Sequence, residues 1–339
     1  MSGKLEHSLN PSLSWTSRWH GIVVVLLLAG ALFVVAATAA GQTNETIVVH
    51  FAFSKSMFRE VNENDARAAM KVYCKTIGDE NGIDTSFGPI YLDGANAMAE
   101  ALRLKQIDII SLTTEEYLTL EDLGLDGPFL MSTVNQTVTE EYVILVRDDS
   151  PIRSVEDLKG HSLIEASDIR ASLAPIWLEV LCRQHNLGPA NQLFSSVTSA
   201  SKVTQVVLPV FFGKVDACVT TRISWEVMGE LNPQVKRQLR AIATSVPLVP
   251  CMSCFRRDYP ETYKQRVVRA TEGSHDKPAF KQLMALFKTD ELTRQPISVL
   301  ENTRQLMTTY RQLSAASNPA GAGSLKKVIS SNTADKMEY

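Results

Sequence analysis

The chain predicts an α/β protein of two lobes, built on mixed, mostly parallel sheets, and three observations carry that prediction. Short apolar runs of strand length alternate with amphipathic stretches of helical period from residue 46 to about 133. The alternation resumes after a long apolar run, "EEYVILVRDD" (Glu140 to Asp149), and continues to about residue 246. An extended segment then leads into three helical stretches with no further strand to cover, so these must pack on lobes already made. Strands alternating with helices imply a largely parallel sheet covered on both faces.

The elements follow in order. "TIVVHFAFS" (Thr46 to Ser54) reads as a strand, and "NDARAAMKVYCKTIGDENG" as a helix stopped by Gly82. "SFGPIYL" is a strand, "GANAMAEALRLKQ" a helix and "IDIISL" (Ile107 to Leu112) a strand. "TTEEYLTLED" opens on a threonine whose hydroxyl can cap a helix. In the second set, "HSLIEA" is a strand, and residues 170 to 186 carry Leu173, Ile176, Trp177, Val180 and Leu181 on one helical stripe. "LFSSVTS" is a strand, and Val203, Val206, Val207, Val210 and Phe211 mark a helix that Pro209 must kink or close. "GKVDACVTT" is a strand, "RISWEVMGEL" a helix, "QLRAIATS" a strand and "VPLVPCMSCFRRD" an extended return. Helices at 260–272, 276–288 and 298–315 end the folded part. The simplest topology puts 46–139 plus 250–315 in lobe one and 140–249 in lobe two. It has two hinge crossings, near 140–149 and 246–255, and a cleft between the lobes. The tail 316–339, rich in Ser, Gly and Ala, is expected to be disordered.

At 339 residues, 45% hydrophobic and 21% charged, the chain is long enough for a full core without metal or disulfide staples. A net charge of -3 leaves no basic footprint for nucleic acid. Residues 1–40 have a polar start with Lys4 and Arg18, an uncharged run "IVVVLLLAGALFVVAATAA" and small residues suited to cleavage, the pattern of an export signal. The run is also long enough to span a bilayer as an uncleaved N-terminal anchor, which would be the protein's one link to the membrane. Five cysteines, an odd count, leave at least one thiol unpaired within the chain. Cys251 and Cys254 form a C-x-x-C without a second pair or a nearby histidine, and on an extended segment they point to opposite faces; neither a metal site nor a cofactor is expected. The six histidines have no metal or triad spacing.

"YVILVRDDSPIRSVEDLKGHSLIEA", a polar loop, an amphipathic helix and then "GKVDACVTT" together resemble the phosphate, phosphite and phosphonate substrate-binding proteins of ABC transporters, the PhnD-like group of type 2 periplasmic binding proteins. "DSPI", "DLKG" and "GKVDA" stand in that family's order, and "EALRLKQIDIISL" is similar to its first-lobe helix and strand; the likeness covers roughly residues 46 to 300. The resemblance implies a bilobal protein that closes on a small, anionic solute and presents it to a membrane permease. Independently, open α/β sheets collect ligands at the carboxyl ends of their strands, and a two-lobe hinge sets two such ends face to face.

The family's anion turn, of Ser-Thr-Ser-Gly type, aligns through "LAP" with Asp168, Ile169, Arg170 and Ala171, flanked by Ser167 and Ser172. An acid and a base replace the hydroxyls. Arg170 either bonds a carboxylate or phosphate, with Asp168 holding it or taking a ligand amine, or it is a solvated first-turn residue behind an Asp168 N-cap. The family's Gly-x-His-Asp segment corresponds to "TSASKVT", which has no histidine; Ser199, Ser201 and Lys202 are donors there, or cap and solvate a helix start. Arg222, after "GKVDACVTT", is a further cation with the same two readings. In lobe one the strand ends offer Ser54 and Thr113, as ligand donors or as helix caps. Trp177 and Trp225 lie on apolar stripes and read as core. The expected activity is solute capture without catalysis. A membrane-anchored sensing module and an enzyme on the same scaffold are the alternatives.

Overall fold

The computed structural model describes residues 46–59 and 61–317. The expected export signal or anchor, residues 1–40, lies outside the described residues, as does the expected disordered tail except for its first two residues. No helix among the described residues is long and apolar enough to cross a membrane.

The first lobe opens with β1 (Ile47–Val48) and β2 (Phe51–Ser54), then α1 (Glu63–Asn81). Asn62 caps α1 by accepting from the Asn64 and Asp65 amides, and Gly82 ends it in the left-handed conformation at φ 63° that its missing Cβ permits. There follow β3 (Ile83–Asp84), β4 (Ile90–Leu92), α2 (Gly94–Arg103), β5 (Ile109–Thr113), α3 (Thr114–Leu120) and β6 (Leu125–Ser132). Thr113 and Glu116 form a reciprocal capping box at the start of α3.

The second lobe comprises β7 (Tyr142–Arg147), β8 (Ser162–Ala166), α4 (Ala174–Gln184), α5 (Ala190–Leu193), β9 (Ser196–Ala200) and α6 (Val203–Phe211), which continues two residues beyond Pro209. It is completed by β10 (Ala217–Thr221), α7 (Arg222–Leu231), α8 (Pro233–Gln238) and β11 (Leu239–Thr244). The chain then adds β12 (Cys251–Arg256), α9 (Glu261–Glu272), α10 (Pro278–Phe287), β13 (Leu292–Gln295) and α11 (Glu301–Ser317).

The first sheet has the order β13-β6-β12-β5-β2-β4 and the second β11-β7-β10-β8-β9; β1 and β3 form a separate parallel pair. Both large sheets are mixed, as expected, but parallel pairing does not dominate them. Four ladders are parallel and five antiparallel. The antiparallel ladders involve β7 and β12, the strands that enter each lobe from the hinge, together with β6, the strand that leaves lobe one. A strand arriving from the other lobe runs against the βα units already there.

Three strands escape local pattern reading, the first being the two-residue β3 (Ile83–Asp84). β6 contains Gly127 and Pro128, residues that punctuate strands, yet it pairs with β12 on one side and β13 on the other. β13, sequence "LTRQ", is a short polar edge strand without an apolar signal, and it corrects the expectation of no strand after residue 258.

The chain crosses between the sheets after Ser132 and again between Thr244 and Cys251. The crossings pair through Glu140 and Leu248, whose amides donate to each other's carbonyls at 2.7 and 2.8 Å. α11 covers this hinge. Arg304 forms two bonds to the Glu121 carboxylate and Arg311 donates to the Leu118 carbonyl on the first lobe, while the helix packs along α4 of the second. At the hinge itself, Asn302 donates to the Pro247 carbonyl and fully buried Thr303 accepts from the Val249 amide at 2.9 Å. Thr303→Val strands that buried N–H, so it should lower unfolding stability by about 1–3 kcal/mol in a urea titration. An unchanged midpoint and slope would mean Thr303 does not hold the hinge.

Candidate ligand-binding site

The carboxyl ends of β2 and β5 place four polar side chains together. Ser54, with no exposed surface, donates to Glu116 Oε1 at 2.7 Å, and Ser56 donates to the same oxygen at 2.8 Å. Glu116 Oε2 accepts from the Thr113 amide at 2.9 Å, and Thr113 Oγ1 accepts from the Glu116 amide. A single internal carboxylate therefore collects the first-lobe donors. Neighbouring Lys55 turns outward to Asp93.

On the second lobe, Asp168 caps the 3-10 turn Ile169–Ala171 by accepting from the Arg170 and Ala171 amides at 2.9 and 3.1 Å. The Arg170 guanidinium forms an ion pair with Glu140, a hinge residue only 3% exposed. The turn is anchored from below, because the buried Tyr142 hydroxyl donates to the Arg170 carbonyl at 2.9 Å. Ser172 donates to the Pro250 carbonyl at 3.3 Å and so links this turn to the return crossing, while the Ser167 amide donates to Ala200 on β9. Across the cleft, the first-lobe turn Lys55–Phe58 packs against Ile169–Ala171.

The candidate cations do not converge. Arg222 begins α7 and pairs with Glu141 at 2.5 Å, Lys202 is exposed at the start of α6, and Ser199 is exposed on edge strand β9. Arg170 alone of the three lines the interlobe cavity. Trp177 is buried in the core and Trp225 is packed against it. Glu140 and Glu141 are not among the residues the sequence singled out, although both open the run "EEYVILVRDD". In extended backbone neighbouring side chains face opposite ways, so the two acids reach different arginines.

The cavity, of about 90 Å³, has walls from both lobes and the hinge. Its floor is a row across four adjacent strands of the first sheet, Phe53, Ser111, Ser253 and Leu130, in register. Ser111 and Ser253 hydroxyls lie 2.7 Å apart. Glu140, Pro250 and Cys251 line it from the hinge, and Ile169 and Arg170 from the second lobe. Burial pushes the Cys251 thiol up to about 11. The described residues hold no cluster of His, Cys, Asp and Glu arranged to bind a metal ion.

Residues 62–304 match the family model of the phosphonate periplasmic substrate-binding protein of ABC transporters. The chain belongs to this family. Its members are the periplasmic binding component of a transporter, which puts their working location outside the cytoplasm. Solved structures agree on the fold. A Xanthomonas citri protein bound to chloride superposes with TM-score 0.57 at 17% identity, covering 79% of this chain and 99% of that one. The binding component of a Pseudomonas aeruginosa ABC phosphonate transporter gives 0.53 at 15% identity, covering 87% and 100%. PhnD1 of Prochlorococcus marinus in complex with methylphosphonate gives 0.52 at 12% identity, covering 77% and 97%. No curated protein matches the chain.

The polar groups at this cleft have internal partners: Glu116 takes the Ser54 and Ser56 hydroxyls, and Glu140 takes Arg170. All five cysteines are unpaired and buried, and burial raises each thiol above its ordinary range. Native protein at neutral pH should therefore resist N-ethylmaleimide, with all five sites labelled after denaturation, as read by intact mass. Rapid labelling of Cys251 in native protein would show that the cavity stands open to solvent there.

Proposed function

We propose that this protein captures a small organic anion in the interlobe cleft by hinge closure, with Arg170 as the principal anion contact, and passes it to an ABC permease without chemical change. The observation that carries this reading is a cavity to which both lobes and the hinge contribute, with Arg170 on its wall. Ligand bridging two lobes is what couples occupancy to closure. Arg170 already has an internal partner, so binding is an exchange in which the ligand's anionic group takes the place of the Glu140 carboxylate. A buried guanidinium gains from such a partner because its charge is otherwise poorly solvated there. Ser54, Thr113, Ser167, Asp168 and Ser172 then act mainly by shaping the two facing turns. Ser199, Lys202 and Arg222 belong to the outer rim of the second lobe. On this reading 46–139 plus 250–315 and 140–249 are the moving bodies, with α11 as a strap over the hinge.

Differential scanning fluorimetry of ligand-stripped protein against phosphonates, sulfonates, phosphate and carboxylates tests the proposal. A ligand at 100 times its Kd adds about 2.7 kcal/mol, a rise of about 4–5 °C for a chain of this size. Arg170→Gln should abolish that rise. Glu140→Gln should lower the stability of the empty protein, by up to about 3–5 kcal/mol, since it removes the carboxylate charge opposite a buried guanidinium. The same variant should show a larger ligand-induced rise than the parent. Equal ligand-induced rises in parent and both variants would remove Arg170 from the site, and silence across the whole panel would sink the anion reading.

Residues 1–40 are taken as a cleaved signal on this proposal. N-terminal sequencing of exported protein should then begin at Ala40 or Gly41, whereas retention of the apolar run would favour an anchored receptor.

A further inference from the structure

A second cavity, of about 440 Å³, opens on the second lobe and shares no lining residue with the interlobe cavity. Its size falls within the ~300–1,000 Å³ of small-molecule sites. The strand pairing explains its position. β8 and β9 run parallel with Leu163 opposite Val197 and Glu165 opposite Ser199, so these four side chains share one face of the sheet. α4 packs on β8, whereas β9, at the sheet edge, is exposed along most of its length. The space left beside α4 is walled by Leu178 of that helix, by Phe194 and Val197, and by Tyr310 of the strap α11. Val197 is 45% exposed, so the mouth is open to solvent.

The charged groups of this cavity have internal partners, with one exception. Glu179 accepts from Arg183 and, at 2.7 Å, from the Ala190 amide, and Arg183 also donates to the Leu313 carbonyl of α11 at 3.4 Å. Glu165 forms no hydrogen bond or ion pair among the described residues. Burial pushes its carboxyl above the ordinary range, and no neighbouring cation draws it back. We propose that this cavity binds a small primary amine, its ammonium on the Glu165 carboxylate and its carbon stem along Leu178, Phe194 and Val197. Such a ligand matches both the lone negative charge and the apolar walls. A divalent metal ion matches neither, since one carboxylate falls far short of the about six to eight oxygens that calcium takes. The charge is opposite to that of the anion proposed for the interlobe cleft, so the two sites select different molecules.

Saturation-transfer NMR and isothermal titration of the exported protein with n-butylammonium test the site, with n-butanol as the uncharged counterpart and methylammonium as the head without a stem. Butylammonium should bind saturably and more tightly than either. Glu165→Gln, close to isosteric, should weaken it about tenfold or more through loss of a charge-assisted bond. Val197→Lys changes an exposed position on the same sheet face and sets a tethered ammonium beside Glu165, so it should abolish binding in protein whose circular dichroism is unchanged. Arg170→Gln, in the interlobe cavity, should leave butylammonium affinity as it is. No saturable binding of butylammonium, equal binding of butanol, or equal affinity in the parent and both outer-cavity variants overturns the site. Loss of butylammonium binding in Arg170→Gln would assign the amine to the cleft and overturn it as well.

Discussion

The pairing of the two crossing segments at Glu140 and Leu248 constrains most of what surrounds it. Because the outgoing and returning chains run antiparallel there, β7 and β12 enter their lobes against the direction of the βα units, which produces the mixed sheets. The same pairing fixes Glu140 in extended backbone beside the second-lobe turn, where its carboxylate meets Arg170. Its neighbour Glu141 is thereby turned the other way, to Arg222. The return strand is held in turn by Thr303 and Asn302 of α11, and by Ser172 through the Pro250 carbonyl. Hinge geometry and cleft electrostatics thus have a common origin in a few backbone bonds.

The cleft is compensated by its own carboxylates. A strand-end hydroxyl cluster and Arg170 would together make an anion-seeking surface. Here each has an internal acid, and the overall charge of -3 adds no long-range attraction for anions. On the proposed reading selectivity comes from exchange, in which an anion must hold Arg170 better than Glu140 does.

Much of the fold was legible in the sequence where local periodicity and caps agree with the tertiary environment. The helix ended by Gly82, the capping box at Thr113 and Glu116, and the helix from Arg222 to Leu231 are all local signals. β6 and β13 were not legible, since Gly127, Pro128 and the polar run "LTRQ" argue locally against strands that neighbours nonetheless pair. At the site, the position of Asp168 and Arg170 was readable, but their partners were not. Asp168 serves as a cap for the turn, and Glu140 is 30 residues before Arg170 in a segment whose acids the sequence did not single out.

The helix expected over 170–186 begins only at Ala174, after the 3-10 turn Ile169–Ala171, and α5 and α8 were not foreseen. By itself the sequence determined the export pattern, the repeated alternation of strands and helices, the main helices and the family resemblance. Each of these depends on residues within a few turns of one another, where periodicity, caps and composition act. Tertiary structure decided the direction of the hinge strands, the acid that meets each cation, and the separation of Arg170 from Lys202 and Arg222. Those outcomes depend on contacts between residues tens to hundreds of positions apart. Nothing in local periodicity encodes such contacts, and the stretch "SDIRAS" acquires its chemistry only from the hinge that packs against it.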